Sequence, residues 1–223
     1  MDTCAYTDSI TNHIIQRITE SSILHEPYPH MVIDDFFPRD FLIKIDTLFP
    51  TTEDSEFEIR NRKVKPKRHV RSFFSSNKNS IENILCNVLN DKLLECLLAK
   101  YGIANQGCQW YGDCVWDYNN EGKNALDPHP DDPSKIISCV FYVPEIKIIN
   151  GRREIQDIPG TDILTQNDDG TFNEVCTIQA KRNRCFTFLR SDSSWHAVKE
   201  TKQPRRTITM FIVKGDSYLL KHK

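Results

Sequence analysis

His129 and Asp131 stand two residues apart in Asp127-Pro-His-Pro-Asp131, just ahead of the apolar run Lys135–Val143. In an extended segment, residues two apart project to the same side, so this imidazole and carboxylate can share one ion. Another histidine, His196, lies 67 residues later in Ser194-Trp-His-Ala-Val198. Two imidazoles and one carboxylate, with the remaining coordination positions open, suit Fe(II) that must also admit other ligands. Asp132 competes with Asp131 for the carboxylate place, and His13, His25, His30, His69 and His222 have no comparable neighbours. His-x-Asp alone is a weak signal. It is sharpened by Arg205, nine residues after His196, at the head of Arg205-Arg-Thr-Ile-Thr-Met-Phe-Ile-Val213. On a strand, Arg205, Thr207 and Thr209 share one face and Ile208, Met210 and Ile212 the other. The polar face could lie in water, with Arg205 as a surface charge. It could instead line a barrel, where a guanidinium forks onto a carboxylate and a hydroxyl adds a second contact. A dicarboxylic keto acid would chelate iron at one end and meet Arg205 at the other.

These residues need strands to hold them, and the second half of the chain has the texture of strands. Gln109–Tyr118, Lys135–Val143, Thr161–Thr165, Glu174–Ala180, Arg184–Leu189 and Arg205–Val213 are short β-branched and aromatic runs. Turn residues separate them, including Asn167-Asp-Asp-Gly170, which predicts a hairpin. Before Gly102 the pattern is helical. His30–Phe36 reads as a short strand, Pro38–Phe49 as a helix, and Ser80–Tyr101 as one longer helix with Gly102 placed to end it. The expectation is an α+β chain whose second half is a sandwich or jelly roll. Nothing marks a linker, so residues 1–223 read as one domain, about 1–104 as helical support and about 105–214 as the jelly-roll core.

The 223 residues include 29 Lys and Arg against 31 Asp and Glu, a formal net of −2. Seven of the basic residues lie between Arg60 and Arg71 with no acid among them, which leaves 22 basic against 31 acidic elsewhere. This segment reads as a solvated loop or edge strand in preference to a polyanion site, because no aromatic residue is interleaved before Phe73. The longest apolar run, Cys139–Val143, is far shorter than a membrane span. No basic start followed by an apolar stretch opens the sequence, so no signal peptide is expected. Eight cysteines without a C-x-x-C pair are expected to be reduced core thiols of a cytoplasmic protein.

From about His30 onward, and most specifically from Gln109 to Val213, the chain resembles the 2-oxoglutarate- and Fe(II)-dependent dioxygenases of the prolyl-hydroxylase-like group. The resemblance rests on His129-x-Asp131, His196, and Arg205 with Thr207 at the family's spacing. Pro27-Tyr-Pro-His-Met-Val-Ile-Asp-Asp-Phe-Phe-Pro38 is similar to the opening of such domains. It implies a double-stranded β-helix, a cupin-like jelly roll with N-terminal flanking helices. It implies that His129, Asp131 and His196 bind iron and that Arg205 and Thr207 meet the far carboxylate of 2-oxoglutarate. Tyr142 takes the place of a family tyrosine that also meets this carboxylate, and Tyr118 matches a second tyrosine near the cofactor. Fe(II) and 2-oxoglutarate are then the cofactors, dioxygen the co-substrate and ascorbate an auxiliary.

The resemblance further implies hydroxylation of a protein side chain of prolyl type with release of succinate. A small metabolite is the next substrate class. A nucleic-acid substrate is disfavoured, because Phe211 stands where dealkylases carry a second arginine, six residues after the first. Asp131 disfavours halogenation, and a non-catalytic binding module would need no iron. Trp195 is expected to pack. The family's Gly-Gly-x-Leu strand is missing: Gly160-Thr-Asp-Ile-Leu164 follows a charged insertion, Glu145–Pro159, which affects the substrate-side residues rather than the iron site.

Overall fold

A computed structural model of the chain describes residues 3–49, 58–60, 68–72, 80–117, 126–199 and 205–215. The first half supplies helices α1 (Thr3–Glu20), α2 (Arg39–Leu48), α3 (Ser80–Val88) and α4 (Asp91–Lys100), with strands β1 (His30–Ile33), β2 (Glu58–Arg60) and β3 (Arg68–Ser72) among them. Strands follow: β4 (Cys108–Asp117), β5 (Leu126–His129), β6 (Lys135–Tyr142), β7 (Ile146–Ile149), β8 (Arg152–Ile155) and β9 (Thr161–Gln166). The last are β10 (Phe172–Ile178), β11 (Cys185–Leu189), β12 (His196–Val198) and β13 (Arg205–Lys214). All named strand pairs are antiparallel.

A seven-stranded sheet runs β1-β11-β6-β13-β4-β3-β2, and a four-stranded sheet runs β10-β9-β12-β5. From β4 onward the chain passes back and forth between the two sheets. Residues of both fill the space between them, with Tyr28, Tyr142, Ile163, Ile178, Phe186 and Phe188 as its apolar centre. The outer face of the large sheet carries the helices. There Ile10, Ile14 and Ile18 of α1, Phe41 and Ile45 of α2, Leu85 and Leu97 pack against Phe141, Ile208, Met210 and Ile212. Each such side chain contributes about 1.5–3 kcal/mol when taken from water.

The structure differs from the sequence reading in several places. Ser80–Tyr101 is two helices rather than one. Asn90 is extended (φ −96°, ψ 175°) and its side chain accepts from the Leu93 N–H at 3.1 Å, so it caps α4. Its carbonyl accepts the first helical bond, from the Leu94 N–H at 3.0 Å, and a second bond from Trp110 Nε1 at 3.2 Å. The first half supplies strands as well as helices, since β1, β2 and β3 extend the large sheet on both sides. Arg60 thus ends the edge strand β2 and residues 68–71 lie in β3, between β2 and β4, whereas residues 61–67 lie outside the described residues. The charged insertion holds the hairpin β7–β8, turned by Asn150 (φ 50°) and Gly151 (φ 75°). Cys108, Cys139 and Cys185 are buried free thiols as expected, but Cys4 and Cys176 are exposed. Among the described residues, no helix is long and apolar enough to cross a membrane.

Candidate active site

β5 and β12 are neighbours in the small sheet, and their register sets His129 directly opposite His196. The imidazole centroids lie 4.4 Å apart. Asp131 follows β5 in the turn to β6, and one ligand atom from each of His129, Asp131 and His196 lies within 4.8 Å of the others. Such a set is close enough for one ion to reach all three with small side-chain adjustments. Both rings are held by backbone. Nδ1 of His129 donates to the Asp127 carbonyl at 2.7 Å, and Nδ1 of His196 to the Ser194 carbonyl at 3.0 Å. Because a carbonyl can only accept, the proton sits on Nδ1 and each Nε2 lone pair is free for a metal. Burial lowers the His129 pKa to about 4, with His196 beside it adding to the effect. Burial lowers His196 as well, against the pull of Asp131. Both rings are therefore neutral donors at neutral pH.

Asp131 is held as the anion. Burial alone would raise its pKa, but Lys135 and His196 nearby, with hydrogen bonds from Lys135 and Ser138, hold it below the usual carboxylate range. Lys135 Nζ lies 2.7 Å from one oxygen, and the Ser138 hydroxyl donates to the other. The same ammonium sits 3.5 Å above the Phe211 ring, which stacks on Tyr111. Arg190 Nε donates to the Asp131 backbone carbonyl at 3.1 Å, bracing the turn from β11. Asp132 faces elsewhere: its carboxylate accepts from the Ser134 amide and hydroxyl at 2.8 and 2.6 Å, capping the turn. It stands outside the triad. Trp195 packs on Phe172, while Phe188 lies 4.8 Å from the His196 ring.

At the other end of the same interior lies Arg205, only 2 % exposed although it is an arginine. Thr207 and Thr209 are buried beside it, so the polar face of β13 lines the space between the sheets rather than water. Thr207 pairs in register with Tyr142. Arg205 Nε donates to the Pro159 carbonyl at 3.1 Å, and its guanidinium carbon is 5.6 Å from the centre of the Tyr142 ring. The Tyr142 hydroxyl donates to Thr161 Oγ1 at 2.8 Å. Burial raises the Tyr142 pKa to about 12, opposed by Arg205 and by the Thr161 contact. Among the described residues, the Thr207 hydroxyl is buried without a hydrogen-bond partner. A buried hydroxyl without a partner beside a guanidinium fits an anion that bonds the hydroxyl and is attracted by the charge.

The fold therefore assembles His129, Asp131 and His196 at one end, and Arg205, Thr207 and Tyr142 at the other. Tyr118 lies outside the described residues. Sequence reasoning passed over Ser138, Lys135 and Arg190 around Asp131, and Thr161 beside Tyr142. Ser138 alone had a usable signal, standing four residues before Tyr142 on the inward face of β6.

No protein-family model matches the chain, and no curated protein matches it. Solved structures do match its fold. A prolyl-4-hydroxylase from Pseudomonas putida superposes with a TM-score of 0.58 at 13% identity, over 92% of this chain and 99% of that one. A prolyl hydroxylase from Trichoplax adhaerens, in complex with a hypoxia inducible factor oxygen degradation domain peptide fragment, gives 0.57 at 14% identity over 98% and 96%. SnoN, a non-haem α-ketoglutarate-dependent epimerase from nogalamycin biosynthesis, gives 0.57 at 8% identity over 92% and 80%. The chain has the fold shared by prolyl hydroxylases and other 2-oxoglutarate-dependent iron oxygenases.

Proposed function

We propose that the chain is a 2-oxoglutarate- and Fe(II)-dependent dioxygenase whose paired sheets form a double-stranded β-helix. One observation carries the reading. Three metal donors with free lone pairs and an arginine–threonine pair for an anion occupy opposite ends of one buried interior. That is the layout a metal-chelated dicarboxylic keto acid requires. His129, Asp131 and His196 would hold the iron, and Arg205 with Thr207 the far carboxylate. When bound, iron and 2-oxoglutarate supply the activation of dioxygen, with release of succinate and carbon dioxide. The chain's own residues supply position. The Asp127 and Ser194 carbonyls fix the ligating face of each imidazole, and Ser138 and Lys135 keep Asp131 ionised. The apolar lining of Phe186, Phe188 and Ile163 keeps water from the space between the two ends.

Hydroxylation of a protein side chain, prolyl in type, is the substrate reading we favour. The likeness to a peptide-bound prolyl hydroxylase supports it. A small-molecule substrate is the second reading, supported by the likeness, at the same TM-score, to an epimerase from nogalamycin biosynthesis. A cytoplasmic location is proposed from the cysteine usage. The test is succinate formation from 2-oxoglutarate and Fe(II) in the presence of peptide and metabolite pools. Stimulation by a peptide pool, lost in Asp131→Ala, is expected. Stimulation by metabolites alone would move the substrate to the second class. No succinate above a metal-free control with any pool would refute the activity.

A further inference from the structure

The corner Pro159-Gly160-Thr161 touches two of the three residues at the buried anion end. Pro159's carbonyl accepts from Arg205 Nε at 3.1 Å, and Thr161's hydroxyl accepts from Tyr142 at 2.8 Å. The corner is tightly seated. A Cβ on Gly160 would fall 1.8 Å from the Ile178 carbonyl oxygen, so only glycine lets β9 approach β10 this closely. Thr161 is 1 % exposed and shares its inward face with Ile163 of the interior core. A tyrosine hydroxyl has one proton, and Tyr142 directs it to Thr161. Thr161's own proton then remains to be donated, beside a tyrosine whose ring centre lies 5.6 Å from the Arg205 guanidinium carbon and which pairs in register with Thr207.

We propose that Thr161 is a binding residue for the far carboxylate of the keto acid, with the Pro159 carbonyl as the positioning group that turns Arg205 toward it. The inference rests on the reading that 2-oxoglutarate binds here, and it changes who does what within the site. Tyr142 orients Thr161 instead of being the terminal donor. The carboxylate is met by one guanidinium and two threonine hydroxyls. The bond from Nε to the Pro159 carbonyl fixes the plane of the Arg205 guanidinium.

The test is calorimetric titration of the Fe(II)-loaded protein under argon with 2-oxoglutarate and, separately, with 2-oxobutyrate, which lacks the far carboxylate. Thr161→Val keeps the side chain's shape and removes the donor. It should weaken 2-oxoglutarate about tenfold, roughly 1.4 kcal/mol, and leave 2-oxobutyrate within about twofold of the original value. Thr161→Ser should restore 2-oxoglutarate binding, and Tyr142→Phe should lose less than Thr161→Val. Unchanged 2-oxoglutarate binding in Thr161→Val overturns the inference. So does an equal loss for both keto acids, which would mark a purely structural role. An original protein that does not prefer 2-oxoglutarate to 2-oxobutyrate overturns the parent reading instead.

Discussion

Arg205 and Arg206 are successive residues of one strand with opposite surroundings. Arg205 enters the space between the sheets with Pro159, Tyr142 and Thr207. Arg206 points to the helical side, where Nε donates to the Val143 carbonyl at 3.0 Å, Glu145 stands 3.8 Å away and the guanidinium lies over Phe49. Arg205→Ala should therefore raise the 2-oxoglutarate dissociation constant by two or more orders of magnitude. Leaving a buried charge unpaired costs about 3–5 kcal/mol. Arg206→Ala should leave that constant alone and lower the free energy of unfolding by about 2 kcal/mol, for a lost buried hydrogen bond and lost packing. Keto-acid titration and urea unfolding of the two variants separate the effects. Equal changes in both measurements would mean that the register of β13 is misassigned. The metal donors and Arg205 were legible as residues because their chemistry is uncommon and their spacing is fixed. Thr161 and the Pro159 carbonyl were not. One is an ordinary strand residue and the other a backbone atom, and only the packing of β9 beside β6 and β13 gives them a role.

Among the elements, length decided what could be read. β6, β11 and β13 are five to ten residues long, mostly apolar or β-branched, and fell within a residue or two of their expected bounds. β5 and β12 are four and three residues long, too short for any periodicity, and a proline interrupts the first. They nevertheless carry both histidines. α1 had a usable signal in Ile10, Ile14 and Ile18, all on one face, that was passed over. The break at Asn90 was hidden because the leucines on either side keep helical spacing across it. Asn90→Ala removes the cap of α4 and should cost about 0.5–2 kcal/mol, read as a lower urea midpoint with an unchanged slope. Gly160→Ala addresses a different joint. With backbone oxygen in the way, the strand must shift, and we expect more than about 4 kcal/mol of destabilisation or loss of soluble protein. A melting temperature close to that of the original protein would contradict the tight approach of β9 to β10.

At the scale of the whole molecule, strands alternate between two sheets, so residues distant in sequence converge on one interior, while the four helices of the described residues pack on the larger sheet. Among the described residues the smaller sheet has no such backing, and β5 is one of its two edge strands. β5 is joined to β12 through two register pairs, His196 with His129 and Val198 with Leu126, with an irregularity between them. A metal held by both histidines would be a cross-link between these strands as well as a reaction centre. Loading it should slow amide hydrogen exchange across Leu126–His129 selectively, and chelation should return those amides to fast exchange while the amides of β6 and β13 stay protected. The catalytic ion and the closure of the sandwich would then be one event, so that a starved cell would hold a protein that is folded at its centre and ajar along a single seam.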